Sequence, residues 1–91
     1  TVLLPGAGTI VQFVQVATGR RPDYLCGKPE VTMMEILFQN EKVADPKRCL
    51  MVGDRLTTDV AFGKQAGTQT LLVLSGCEQE SDIKSSGITP D

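Results

Sequence analysis

The chain has 91 residues, of which 41% are hydrophobic, so it can form one small α/β unit but not a complete two-domain enzyme. Its 9 basic and 11 acidic residues give a formal net charge of -2 and form no basic stripe, so we expect no nucleic-acid partner. Apolar runs such as Val2–Leu4 and Leu71–Leu74 are far shorter than the roughly 20 residues of a membrane span, so we expect no membrane partner.

Periodicity and turn residues predict helices and strands in alternation. A helix with apolar positions from Ile10 to Ala17 ends before Gly19, and a short strand is predicted over Pro22–Cys26. The remaining predicted elements are a helix over Glu30–Val43, a strand over Arg48–Val52, a helix from Thr57 or Thr58 to Ala66, and a strand over Thr70–Leu74. This order predicts an α/β fold with about three parallel strands joined by crossover helices. Residues 77–91 are predicted to form a polar surface segment.

The residue types argue against zinc, disulfides and secretion. The chain has three cysteines, no Cys-x-x-Cys pair and no histidine. No positive charge precedes the apolar residues at the N-terminus, as it would in a signal peptide. We therefore expect a reducing, cytoplasmic compartment. Because Thr1 is not an initiating methionine, we also expect that the chain belongs to a longer protein.

Ligands of parallel α/β sheets gather beyond the carboxyl ends of the strands, which directs attention to Gly27–Lys28, Gly53–Asp54 and Ser75–Gly76. Lys28 stands where a predicted strand ends and a helix begins. Its ammonium group and the amides of the helix N-terminus could bind one anion, and phosphate is the natural candidate. The alternative is an exposed lysine beside a turn, which is the common case for a single lysine.

Two carboxylates could share a hard cation. Asp54 follows the apolar strand, and Asp59 stands five positions later, near the start of the next helix. Mg²⁺ prefers few carboxylates, several waters and substrate phosphate oxygens, which suits two acidic residues in one segment. The alternative is that Asp54 caps a loop and Asp59 complements a helix dipole.

Taken together, these motifs resemble a known family. Gly27–Pro29 and Met51–Asp59 resemble the third and fourth motifs of haloacid dehalogenase (HAD) superfamily phosphatases, in particular the p-nitrophenylphosphatase and phosphoglycolate phosphatase group. The flanking segments Pro5–Gly8, Thr18–Pro22 and Leu72–Gly76 are similar to that group as well. The resemblance therefore extends over nearly the whole chain, from Pro5 to Gly76.

The resemblance implies a partial Rossmann-like HAD core, with residues 1–76 forming the C-terminal part of the core domain. It implies a phosphatase that uses Mg²⁺ and an aspartyl-phosphate intermediate to hydrolyse a small phosphorylated metabolite, such as phosphoglycolate or p-nitrophenyl phosphate. It assigns the catalytic residue Lys28 to the substrate phosphate and Asp54 to the metal. Asp59 would support the metal site, directly or through water.

The chain departs from the family pattern because it contains no Asp-x-Asp, the motif that carries the nucleophile. The resemblance therefore implies that the nucleophile, the second motif and the cap domain lie upstream of Thr1, and that this chain alone is inactive. Because the family often dimerises through its cap, a homodimer of the longer protein would form there. The physiological substrate is not readable without the cap.

Two other functions compete with a phosphatase. The first is a noncatalytic interaction or scaffold module that keeps the HAD fold without completing the site. The second is a nucleotide-binding α/β domain, suggested by Gly6 and Gly8 after an apolar run. Val11 occupies the position of the third glycine in a dinucleotide fingerprint, which counts against the second alternative.

Overall fold

The computed structural model describes residues 4–91, and its centre is a parallel sheet of two strands. β1 is Leu50–Gly53 and β2 is Gln69–Leu72, paired in register from Leu50 with Gln69 to Gly53 with Leu72. Beyond β2, the Val73 amide donates a hydrogen bond of 2.8 Å to the Gly53 carbonyl. The carboxyl ends of both strands therefore lie at one edge of the sheet.

Helices occupy the connections. The α-helices are α1 (Ala7–Thr18), α2 (Thr32–Asn40), α3 (Ala61–Gln65) and α4 (Glu80–Ser86). A short 3-10 helix, Pro46–Arg48, precedes β1, and a π-helical turn, Leu56–Val60, leads directly into α3. The chain from β1 to β2 is thus a β-α-β unit, as the predicted order of elements requires.

The hydrophobic core lies on one face of the sheet. Leu56 and Val60 are 1% exposed, and Phe62 of α3 and Met34 of α2 are also buried. On the opposite face, the alternating side chains Leu50, Val52 and Leu71 remain about half exposed. The π-helical turn and α3 therefore provide most of the burial, and they do so directly behind the carboxyl end of β1.

The predicted α/β class with a parallel sheet is confirmed, but the strand predicted over Pro22–Cys26 is wrong. These residues form no strand, so the sheet within residues 4–91 has two strands rather than about three. Pro22 has no amide hydrogen to donate, and the segment is exposed, with Tyr24 at 81%. A strand needs a paired edge, and within the described chain β1 and β2 pair only with each other.

A further difference is α4, which lies in the segment predicted to be only polar surface. Gln79 and Asp82 form a capping box, in which the Asp82 carboxylate accepts the Gln79 amide at 2.7 Å. Lys84 in the last turn and Gly87 after it complete the usual helix signals. The helix lacks the apolar periodicity that predicts helices because none of its residues is buried.

The helices α2 and α3 lie wholly within the predicted helical segments, and α1 overlaps its predicted segment but begins earlier. α1 begins at Ala7 rather than near Ile10, and α2 is shorter than the predicted Glu30–Val43.

Nowhere between residues 4 and 91 is there a helix long and apolar enough to cross a membrane. Of the apolar run Val2–Leu4, the first two residues lie outside the described part of the chain.

Candidate functional site

Asp59 is the centre of the candidate site. It lies in the π-helical turn after β1, and its side chain is 7% exposed. Its Oδ1 accepts a hydrogen bond of 2.5 Å from the Lys28 ammonium group, which lies 31 positions away in the sequence. Its Oδ2 accepts the backbone amides of Asp54 and Arg55 at 3.2 and 3.1 Å. The buried Asp59 carboxylate therefore connects Lys28 to the turn that carries Asp54.

The close packing of this turn depends on Gly53. A Cβ atom at Gly53 would lie within 3.0 Å of the Asp59 side chain, closer than real Cβ atoms approach their neighbours. The absence of a side chain at the end of β1 lets the Asp59 carboxylate fold back beneath the Asp54 and Arg55 amides. The sequence Gly-Asp therefore sets the shape of the turn as well as supplying a carboxylate.

Asp54 has a different environment from Asp59. Its Oδ2 accepts the backbone amide of Cys77, after β2, at 3.0 Å. This hydrogen bond lowers the pKa of the Asp54 carboxyl below its ordinary value, so Asp54 is ionised at neutral pH. Among residues 4–91, no lysine or arginine forms an ion pair with it. Asp54 is thus a negative charge at the carboxyl edge of the sheet whose Oδ1 is not held by another described residue.

The two carboxylates fit a divalent cation unequally. Asp54 offers a charged oxygen, Oδ1, that accepts no hydrogen bond from another residue between 4 and 91, which suits Mg²⁺ because this ion takes one or two carboxylates and keeps several waters. Both oxygens of Asp59 already accept hydrogen bonds from the chain. The described residues contain no cluster of three or more metal-ligating side chains. Of the two carboxylates, Asp54 is therefore the one with an oxygen open to a cation, and Asp59 is already engaged by the chain.

Sequence reasoning singled out Lys28, Asp54 and Asp59 but missed how they are connected. The structure brings Lys28 into an ion pair with Asp59 and brings Asp54 against Cys77. Lys28 keeps 41% of its side chain exposed, so it can contact both Asp59 and a ligand in solvent. The role of the Cys77 amide had no sequence signal, because any residue except proline supplies a backbone N–H.

Comparison with known proteins identifies the family. The family model described as HAD-hydrolase-like matches residues 25–91. Phosphoglycolate phosphatase 2 of Arabidopsis thaliana is 45% identical over 89 residues, which cover 96% of this chain and 29% of that protein.

Solved structures agree. The 4-nitrophenylphosphatase from Thermotoga maritima superposes with a TM-score of 0.82 and 39% identity, covering 97% of this chain and 33% of that one. The glycerol phosphate phosphatase from Mycobacterium tuberculosis, solved in complex with magnesium, gives a TM-score of 0.67 and 35% identity, covering 87% of this chain and 23% of that one. This chain spans no more than 33% of the length of these three proteins.

These matches confirm the resemblance that the motifs around Lys28 and Asp54 carry. The family model covers most of the chain, and the relatives include a phosphoglycolate phosphatase and a 4-nitrophenylphosphatase, as the motifs predict. The chain therefore belongs to the HAD-hydrolase-like family.

Proposed function

We propose that this chain is the C-terminal core segment of a Mg²⁺-dependent phosphomonoester hydrolase that acts through an aspartyl-phosphate intermediate. Its substrate would be a small phosphorylated metabolite such as phosphoglycolate or p-nitrophenyl phosphate. The names of the Arabidopsis and Thermotoga relatives support this class of substrate. The aspartate nucleophile would come from a part of the protein outside this chain, because no Asp-x-Asp occurs between Thr1 and Asp91.

Lys28 would bind the substrate phosphate. Its ammonium group carries the charge that a phosphate dianion needs, and the Asp59 carboxylate fixes its position at one side of the site. The remaining exposure of the Lys28 side chain leaves ammonium hydrogens available to a ligand. Lys28 would therefore offset negative charge on the transferring phosphoryl group without being free to swing away from it.

Asp54 would hold the Mg²⁺ through the oxygen that the Cys77 amide does not occupy. Bound there, the metal would draw negative charge from the phosphoryl oxygens and orient the substrate. Asp59 would support the metal site, directly or through water, and its hydrogen bond from the Asp54 amide would help to hold the metal-binding turn in place. The magnesium complex of the Mycobacterium relative supports this choice of ion.

The observation that carries the proposal is the double connection of Asp59. Through Oδ1 it holds the phosphate-binding candidate, and through Oδ2 it holds the backbone of the metal-binding candidate. A scaffold module would need neither a lysine paired with a buried aspartate nor, at the same edge, a second carboxylate without an ion-pair partner among residues 4–91. We extend the proposal to a cytosolic enzyme, with a homodimer formed through a cap domain outside this chain.

The proposal is tested with Asp54→Asn in the intact phosphatase that contains this chain. We expect turnover of p-nitrophenyl phosphate to fall at least tenfold, because the amide removes the charge that matches the cation. Asp45→Asn is the matched control, since Asp45 is an exposed carboxylate that caps the 3-10 helix through the Lys47 amide. Normal turnover and normal magnesium dependence of Asp54→Asn would contradict the assignment. An intact wild-type protein without any phosphatase activity would favour the scaffold module.

A further inference from the structure

The turn after β2 makes an unusually close contact with Asp54. A Cβ atom at Gly76 would lie within 3.0 Å of three Asp54 atoms, namely Oδ2, Cβ and Cγ. Real Cβ atoms do not approach their neighbours so closely, and the obstruction includes the Asp54 Cβ, which is fixed to the backbone. Residue 76 therefore has to be glycine for the turn to lie where it does.

The next residue uses this close approach. The Cys77 amide donates its hydrogen bond to Asp54 Oδ2 at 3.0 Å, across 23 residues of sequence. A carboxylate on a turn can otherwise rotate about two side-chain torsions, and this bond fixes one of its oxygens. The other oxygen is left for a different partner.

We propose that Gly76 is a positioning residue for the magnesium ligand Asp54, an inference that rests on the proposed function. By lacking a side chain, Gly76 brings the Cys77 amide to Asp54 Oδ2 and holds the carboxylate ready to bind the cation through Oδ1. Groups that orient a metal ligand commonly contribute 10- to 100-fold to metal affinity (about 1.4 to 2.7 kcal/mol), although they do not touch the metal. Gly76 would act in this way from the turn that follows β2.

The test is Gly76→Ala in the intact phosphatase, with the Mg²⁺ dissociation constant measured by calorimetry in the absence of substrate. The added methyl group displaces either the turn or the Asp54 side chain, so we expect the dissociation constant to rise at least tenfold. Ser75→Ala is the matched control, because it changes the neighbouring exposed side chain, which makes no hydrogen bond within the described chain. We expect Ser75→Ala to bind Mg²⁺ as the wild type does.

A double-mutant cycle separates positioning from a general loss of structure. If Gly76 acts through Asp54, adding Gly76→Ala to Asp54→Asn causes no further loss of the Mg²⁺-induced rise in melting temperature. Gly76→Ala that folds and binds Mg²⁺ within twofold of the wild type would overturn the inference while leaving the proposed function intact. An intact wild-type protein that binds no Mg²⁺ would overturn the proposed function itself.

A measurement on the wild type covers the case in which Gly76→Ala does not fold. In proton–nitrogen correlation spectra, the Cys77 amide resonance should shift on addition of Mg²⁺, because its acceptor carboxylate becomes a metal ligand. The amide of Lys84, in α4, should shift much less. A Cys77 resonance that does not respond to saturating Mg²⁺ would contradict the inference.

Discussion

Two lysine–aspartate pairs lie within residues 4–91, and they differ in the burial of the carboxylate. Lys28 and Asp59, at the carboxyl end of β1, are 2.5 Å apart, and the Asp59 side chain is 7% exposed. Lys64 of α3 and Asp91, beside the amino end of β2, are 3.4 Å apart, and the Asp91 side chain is 51% exposed. A buried carboxylate depends on its partners for solvation, whereas a half-exposed one can use water. The first pair should therefore contribute more to the stability of the fold than the second.

The largest expected difference is in the free energy of unfolding lost when Asp59 or Asp91 is replaced. Asp59→Ala in the intact protein should lower the free energy of unfolding by about 2–4 kcal/mol, because it leaves two backbone amides and a lysine without their charged acceptor. Asp91→Ala should cause a smaller loss, because water can replace the exposed carboxylate. Chemical denaturation of both variants and the wild type measures the comparison. Equal losses would show that burial of Asp59 does not govern its contribution.

Replacing Lys28 should also lower the free energy of unfolding more than replacing Lys64, but by a smaller margin than for the two aspartates. Lys28→Met should cost about 1–2 kcal/mol, less than a fully buried pair would, because the Lys28 side chain is partly exposed and screened. Lys64→Met should change the free energy of unfolding by no more than about 0.5 kcal/mol. The same denaturation experiment compares the two. A loss for Lys64→Met that matches Lys28→Met would contradict the distinction between the pairs.

The smallest expected effect is the pH dependence of the stability that the Lys64–Asp91 pair contributes. Hydrogen bonding from Thr70, aided by the Lys64 ammonium, lowers the pKa of Asp91 below its ordinary value of 3.8. A lowered carboxyl pKa stabilises the fold above the ordinary pKa, and this contribution disappears as the pH falls through the folded-state value. The difference in unfolding free energy between wild type and Asp91→Asn should therefore be constant near neutral pH and shrink below about pH 4. A difference that does not change down to pH 2 would contradict this assignment.

The parts of the fold that were predicted correctly are those with a local signal. The apolar run that became β1 and the glycine and aspartate after it lie within a few residues of one another, so the motif was readable. The strand predicted at Pro22–Cys26 failed because strand formation depends on a paired edge elsewhere in the chain. Helix α4 was missed because its signals are caps, not apolar periodicity.

The sequence by itself determined the α/β class, the family motifs and the identity of Lys28, Asp54 and Asp59 as candidate site residues. Only the tertiary structure decided which groups meet: Lys28 with Asp59 across 31 positions, and the Cys77 amide with Asp54 across 23. Periodicity and turn signals report interactions within one element, whereas these contacts join separate loops at one edge of the sheet. The second contact depends on a backbone amide, at Cys77, and on the lack of a side chain, at Gly76, and residue type alone does not reveal either.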